Sequence, residues 1–120
     1  MILTIQRSKW LRGNDGDGSC LLDNDGKMCC LGFYAKALGA EDSQIFAVTI
    51  PQDCDSPERE KIFSERSGGR WILSEDGAGD SHDAVELIVQ NDSNYLTEEE
   101  REWSIQELFA RHGVEVVFVD

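Results

Sequence analysis

Apolar residues fall along the chain in short blocks divided by glycine, asparagine, aspartate and proline, and the spacing inside each block predicts its form. Met1 to Gln6 (MILTIQ) is short and rich in β-branched residues, as a strand is. After the basic segment Arg7 to Gly13, NDGDGS at residues 14 to 19 reads as a loop. Ser19 to Asp23 and Lys27 to Leu31 flank Asn24-Asp25-Gly26, which predicts a tight hairpin. Its register decides what faces Cys20. An Asn24-Asp25 loop sets Cys20 opposite Cys29, a three-residue loop sets it opposite Cys30, and an Asp25-Gly26 loop, favoured by composition, sets it opposite Leu31.

Cys29 to Leu38 has helical spacing, with Cys30, Phe33, Tyr34, Ala37 and Leu38 on one side and Gly39 as the stop. Ile45 to Ile50 (IFAVTI) predicts a strand ended by Pro51. Ser56-Pro57-Glu58 starts a short helix that carries Ile62 and Phe63 and stops at Gly68-Gly69. Arg70 to Ser74 is a further predicted strand, and Glu75 to Asp80 an acidic, glycine-rich loop. Asp80 or Ser81 then caps a helix with Ala84, Leu87 and Ile88 inward. The strongest helix signal is Thr97-Glu98-Glu99-Glu100, a capping box ahead of Ile105, Leu108 and Phe109, with Gly113 beyond the end. Val114 to Val119 (VEVVFV) reads as a strand apolar on both faces, which belongs in the middle of a sheet. Helices and strands mixed without strict βαβ alternation predict an α+β fold: a single small domain over residues 1–120, with three to four helices packed on a mainly antiparallel sheet.

Composition fits one core of moderate size, since 40% of the 120 residues are hydrophobic. No apolar run approaches the ~20 residues of a membrane helix, and the start is too short an apolar run for a secretory signal, so a cytoplasmic protein without a membrane partner is expected. Two of the four cysteines are adjacent and the others far apart, which points to reduced thiols. The net charge of −13 disfavours direct contact with nucleic acid. It is also uneven. Residues 1–40 carry five cations and four acids, whereas residues 41–120 carry six cations and twenty acids. Such a field keeps a protein soluble, or offers a negative face to a basic partner.

The candidate chemistry centres on GKMCCLGF, residues 26–33. A cysteine at a helix start can hold a stabilised thiolate, so Cys29 or Cys30 could serve as a nucleophile if an imidazole came within reach. His82 is the better base, with Asp83, Asn91 or Asp92 to orient it, because His112 suits the last turn of its helix through its charge alone. Adjacent cysteines at such a junction more often pack into the core, so an enzyme is disfavoured. No spacing among Cys20, Cys29, Cys30, Cys54, His82 and His112 matches a zinc pair, and DGDGS lacks the glycine and glutamate of a calcium loop. Neither metal nor cofactor is expected.

Two features favour binding. Trp103 points away from the buried stripe of its helix, among Glu98, Glu99, Glu102 and Glu107, as the apolar anchor of an acidic contact surface. Trp10, with Arg7, Lys9 and Arg12 around it, could stack on a base or an anionic ligand, unless the cations pair with the protein's own carboxylates.

In Lys9-Trp10-Leu11-Arg12-Gly13, Gly26 to Phe33, Asn91-Asp92-Ser93, Glu100-Arg101-Glu102 and the ending Gly113 to Val119, the chain resembles small proteins encoded by bacteriophages and prophages. The resemblance implies a bacterial host cytoplasm and an accessory role, and carries over no catalytic residue. Joined to the charge, it makes binding and inhibition of a host protein the first expectation. A nucleic-acid-handling or defence protein met by a DNA-mimicking surface is one form of it. The alternative is a cysteine-dependent enzyme, or a binder of a small anion such as a nucleotide, built on GKMCCLGF and the Arg7, Lys9 and Arg12 cluster.

Overall fold

The structure, a computed structural model, describes residues 1–13, 21–46 and 81–120, without the side chains of residues 44 and 81–85. The expected loop at 14–19, the expected helix that starts at Ser56 and stops at Gly68-Gly69, the expected strand at 70–74 and the expected loop at 75–80 lie outside the described residues, as do Cys20, Cys54 and the side chain of His82.

The chain enters through strand β1 (Ile2–Gln6), makes a 3-10 turn at Arg7–Lys9, and reaches helix α1 (Cys30–Ala37) after the turn at Asp23–Lys27. A four-residue helix α2 (Asp42–Ile45) follows, then α3 (Ser81–Asp92), α4 (Glu98–Ala110) and strand β2 (Glu115–Val119). Among the described residues β1 and β2 form the whole sheet, and they run parallel in the register Ile2↔Glu115, Leu3↔Val116, Thr4↔Val117. The mainly antiparallel sheet expected from the sequence is therefore corrected: alternation inside a strand sets its faces, not the direction of its partner. Leu3, Ile5 and Val116 face the core, while Ile2, Val117 and Val119 are exposed, so β2 buries one face rather than two.

Among the described residues the predicted hairpin is also absent. Asp23 accepts the backbone N–H groups of Asp25 and Lys27 on its side-chain Oδ1, at 2.9 and 2.8 Å, and Gly26 takes φ +78°. Asp23 N–H and Lys27 C=O close this turn at 2.9 Å around a three-residue loop, Asn24 to Gly26, instead of the favoured Asp25-Gly26. No ladder follows, because Cys30 and Leu31 are already helical. Met28 instead bridges to Trp10, and Leu22 to Phe46, both in parallel sense. Ile45 belongs to α2 and not to the predicted strand, whose remaining residues 47–50 lie outside the described residues.

Helix α1 packs on β1, α2 and α3, so Leu31, Gly32 and Ala35 are buried along with Cys30, Phe33 and Tyr34, while Ala37 is exposed. The single inward face predicted for it is too narrow. Gly32 sits so close to residue 21 that a Cβ would stand 1.9 Å from the Leu21 carbonyl oxygen, hence the glycine inside a buried helix. Helix α4 forms as its sequence predicts. Thr97 and Glu100 make the reciprocal capping box, Ile105, Leu108 and Phe109 are buried, and Gly113 takes φ +76°. The Phe109 ring meets Tyr34 of α1 edge-on at 5.4 Å, joining the two helices through one core.

Candidate functional site

Three segments far apart in sequence, Trp10 to Gly13, the start of α1 at Cys30 and the end of α3, meet at one side chain, Asn91, in the last turn of α3 and fully buried. Asn91 Oδ1 accepts from Trp10 Nε1 at 2.8 Å and from the backbone N–H of Cys30 at 3.1 Å. Asn91 Nδ2 donates to the Leu11 carbonyl at 2.9 Å and to Asp92 Oδ1 at 3.0 Å. Two donors face the oxygen and two acceptors the nitrogen, which fixes the amide's orientation without ambiguity. Its own carbonyl accepts from the Gly13 N–H at 2.9 Å.

These bonds have a local cause. Helix α1 begins after Cys29, whose extended backbone offers no side-chain cap, so an orphan N–H of the first turn is satisfied from α3 instead. The C-terminal carbonyl of Asn91 is likewise satisfied by the N-terminal segment. Met28 N–H donates to the Lys9 carbonyl and Leu11 N–H to the Met28 carbonyl, at 2.9 and 2.8 Å, which ties Trp10-Leu11-Arg12-Gly13 to the start of GKMCCLGF.

The same arrangement removes Trp10 as a ligand platform. It is 3% exposed, with Phe118 against it at 4.8 Å between ring centroids and the Arg12 guanidinium 4.4 Å from its ring centre. The basic cluster is largely spent on carboxylates of α4. Arg7 forks onto Glu102 with two 2.9 Å bonds and reaches Asp120 at 3.0 Å, which raises its pKa further. Arg12 pairs with Glu98 at 2.8 Å and donates to the carbonyls of Arg7 and Trp10. Glu98 and Glu102 are thus internal partners, not outward contacts.

Glu99 and Glu107 do face solvent, and Trp103 between them is 63% exposed. The three recur every fourth residue and so share one face of α4. Beside that face, Gln106, Glu107, Ala110 and the turn into β2 line an open cleft of about 440 Å³.

The cysteines make a poor nucleophile. Both are buried, and burial, followed by the neighbouring Cys29, pushes the Cys30 thiol well above its ordinary pKa. Its Sγ lies 3.9 Å from the Leu87 carbonyl, in the core. His112 is buried just past the end of α4. No group of three or more metal-ligating side chains converges among the described residues, and none of their helices is long and apolar enough to cross a membrane.

Arg101 escapes a sequence reading. It is 5% exposed, donating to Glu98 and to the Ser93 carbonyl, while its Nε–H has no partner. The signal for it is position: residue 101 continues the stripe of 105, 108 and 109 by one turn, as 91 continues 87. A polar residue on a buried stripe marks a tertiary bond. With Trp10, Leu11, Arg12, Gly13, Lys27 and Glu98, Arg101 lines a second open cleft of about 490 Å³. Comparison with family models, with curated proteins and with solved structures finds no match for the chain.

Proposed function

We propose that this is a binding protein: a small acidic accessory protein of phage type that holds a basic surface of a host protein through the outer face of α4. The observation that carries this reading is the exposure of Trp103 between Glu99 and Glu107, beside an open cleft. A large aromatic left in water is a poor use of apolar area in a lone domain and a common anchor at interfaces. The two free carboxylates and the overall charge of −13 steer a cationic partner toward it and set its orientation. Inhibition follows if the basic surface so covered is the one the host protein uses for nucleic acid.

With Glu98 and Glu102 bound internally, the face is a tryptophan flanked by acids rather than a long row of carboxylates. That favours one apolar anchor with charged surroundings over a regular imitation of phosphates. Affinity capture from a bacterial host lysate, run in parallel with the native protein, Trp103→Ala and the double change Glu99→Lys, Glu107→Lys, tests the proposal. A basic protein retained by the native chain should be lost from both variants, with Trp103→Ala costing ~1 to 3 kcal/mol in a purified complex. A partner retained equally by all three places the interface elsewhere and overturns this reading.

A further inference from the structure

We propose that the cleft between the Trp10 to Gly13 segment and the start of α4 is a binding site for a small oxyanion, a phosphate- or carboxylate-bearing metabolite. It uses neither Trp103 nor Glu107, so it stands apart from the protein-binding face. Its charge is the first argument. In a protein of net charge −13, the cleft is lined among the described residues by three cations, Arg12, Lys27 and Arg101, and one acid, Glu98.

The second argument is what Glu98 does there. Its Oε2 accepts from Arg12 Nε at 2.8 Å and its Oε1 from Arg101 Nη1, one oxygen on each guanidinium. Two arginines spaced to divide a single carboxylate are spaced to divide a phosphate. Glu98 itself is half exposed, on the first turn of α4, and a change of its rotamer frees that position.

Third, donors remain. Arg101 is fixed by burial and by the Ser93 carbonyl, and its buried Nε–H has no hydrogen-bond partner. Lys27, held at the cleft by the Asp23 turn, is exposed and forms no ion pair among the described residues. Gly13 supplies the opening. It takes φ +63°, and a Cβ there would lie 3.4 Å from Arg101 Nη2. The bare backbone leaves that side clear, and a volume of about 490 Å³ suits a small metabolite.

The test is a titration of the full chain with sodium phosphate and, separately, sodium acetate, at ionic strength held constant with chloride, following backbone amide signals of Gly13, Lys27 and Arg101. Saturable shifts are expected in the millimolar range, and the stronger anion names the ligand class. Lys27→Ala should weaken binding about three- to tenfold, and Glu98→Gln, which removes the internal competitor, should strengthen it by a similar factor. Trp103→Ala should change nothing. Shifts no larger than those from chloride overturn the site. So does binding indifferent to Lys27→Ala, a change on an exposed side chain that leaves the fold intact.

Discussion

The two edges of helix α4 carry the same kind of residue and do opposite things with it. On the inner edge Glu98, Arg101 and Glu102 are taken up by Arg12, Ser93 and Arg7, and they hold the N-terminal segment against the helix. On the outer edge Glu99, Trp103 and Glu107 meet water. Glu98 and Glu99 are neighbours in sequence, with equal charge and equal helix propensity. What separates them is a rotation of about 100° around the helix and the presence of an arginine across the gap. A count of carboxylates on a helix thus overstates the surface open to a partner.

The contrast fails outright if the inner edge does not need its polar bonds. Asn91→Ala removes the hub behind that edge and strands Trp10 Nε1–H and the Cys30 N–H. It should cost about 3 to 5 kcal/mol in urea unfolding, against less than ~0.5 kcal/mol for Trp103→Ala on the outer edge. Equal costs would mean that the hub is not what fixes the N-terminal segment.

A smaller effect separates the glutamates themselves. Glu102→Gln breaks the forked pair with Arg7 and should lower stability by ~0.5 to 1 kcal/mol, while Glu99→Gln should leave it within ~0.5 kcal/mol of the native value. Chemical denaturation at low and high salt measures both, and only the first should depend on salt.

The titration of Glu100 sharpens the picture from the helix end. The backbone N–H of Thr97, then its hydroxyl, holds the Glu100 carboxyl below its ordinary pKa. Its contribution is therefore present above about pH 4.3 and disappears as the pH falls through the lower folded-state value. Replacing Glu100 with Gln should flatten the acid limb of stability against pH, with no change near neutrality in the binding of a partner at Trp103. At the other limit, the buried Cys30 keeps its proton while the unfolded chain ionises. Stability should decline as the pH rises above the ordinary thiol value, and a neutral disulfide reagent should label Cys30 of the native protein far more slowly than the unfolded chain.

Local signals carried α1, α3 and α4 but not α2, whose Ile45 reads as strand, and they missed the pairings. Thr97 and Glu100 are three residues apart, Gly39 and Gly113 lie two and three residues past the ends of α1 and α4, and each could be seen in a window of a few residues. Trp10 could not, because the group that buries its indole N–H lies 81 residues away. Nor could the pairs of Arg12 with Glu98 and Arg7 with Glu102, at separations of 86 and 95. The direction of β1 against β2 belongs to the same class: both strands are visible alone, and only the tertiary fold decides that they run together. For Cys29 and Cys30, the preference of cysteine for the core already pointed to burial.

Pairing residues 2–6 with residues 115–119 has a cost in time. During synthesis β1 leaves the ribosome more than a hundred residues before its partner strand exists, with Leu3 and Ile5 waiting for their half of the sheet. Closing so long a loop is entropically unfavourable until the core it encloses has begun to form, so the sheet that brings together the two ends of this sequence should be among the last parts to assemble. A chain stopped short of Glu115 would keep that apolar strand exposed, and would be handled by the cell as an unfinished protein even with every helix already translated.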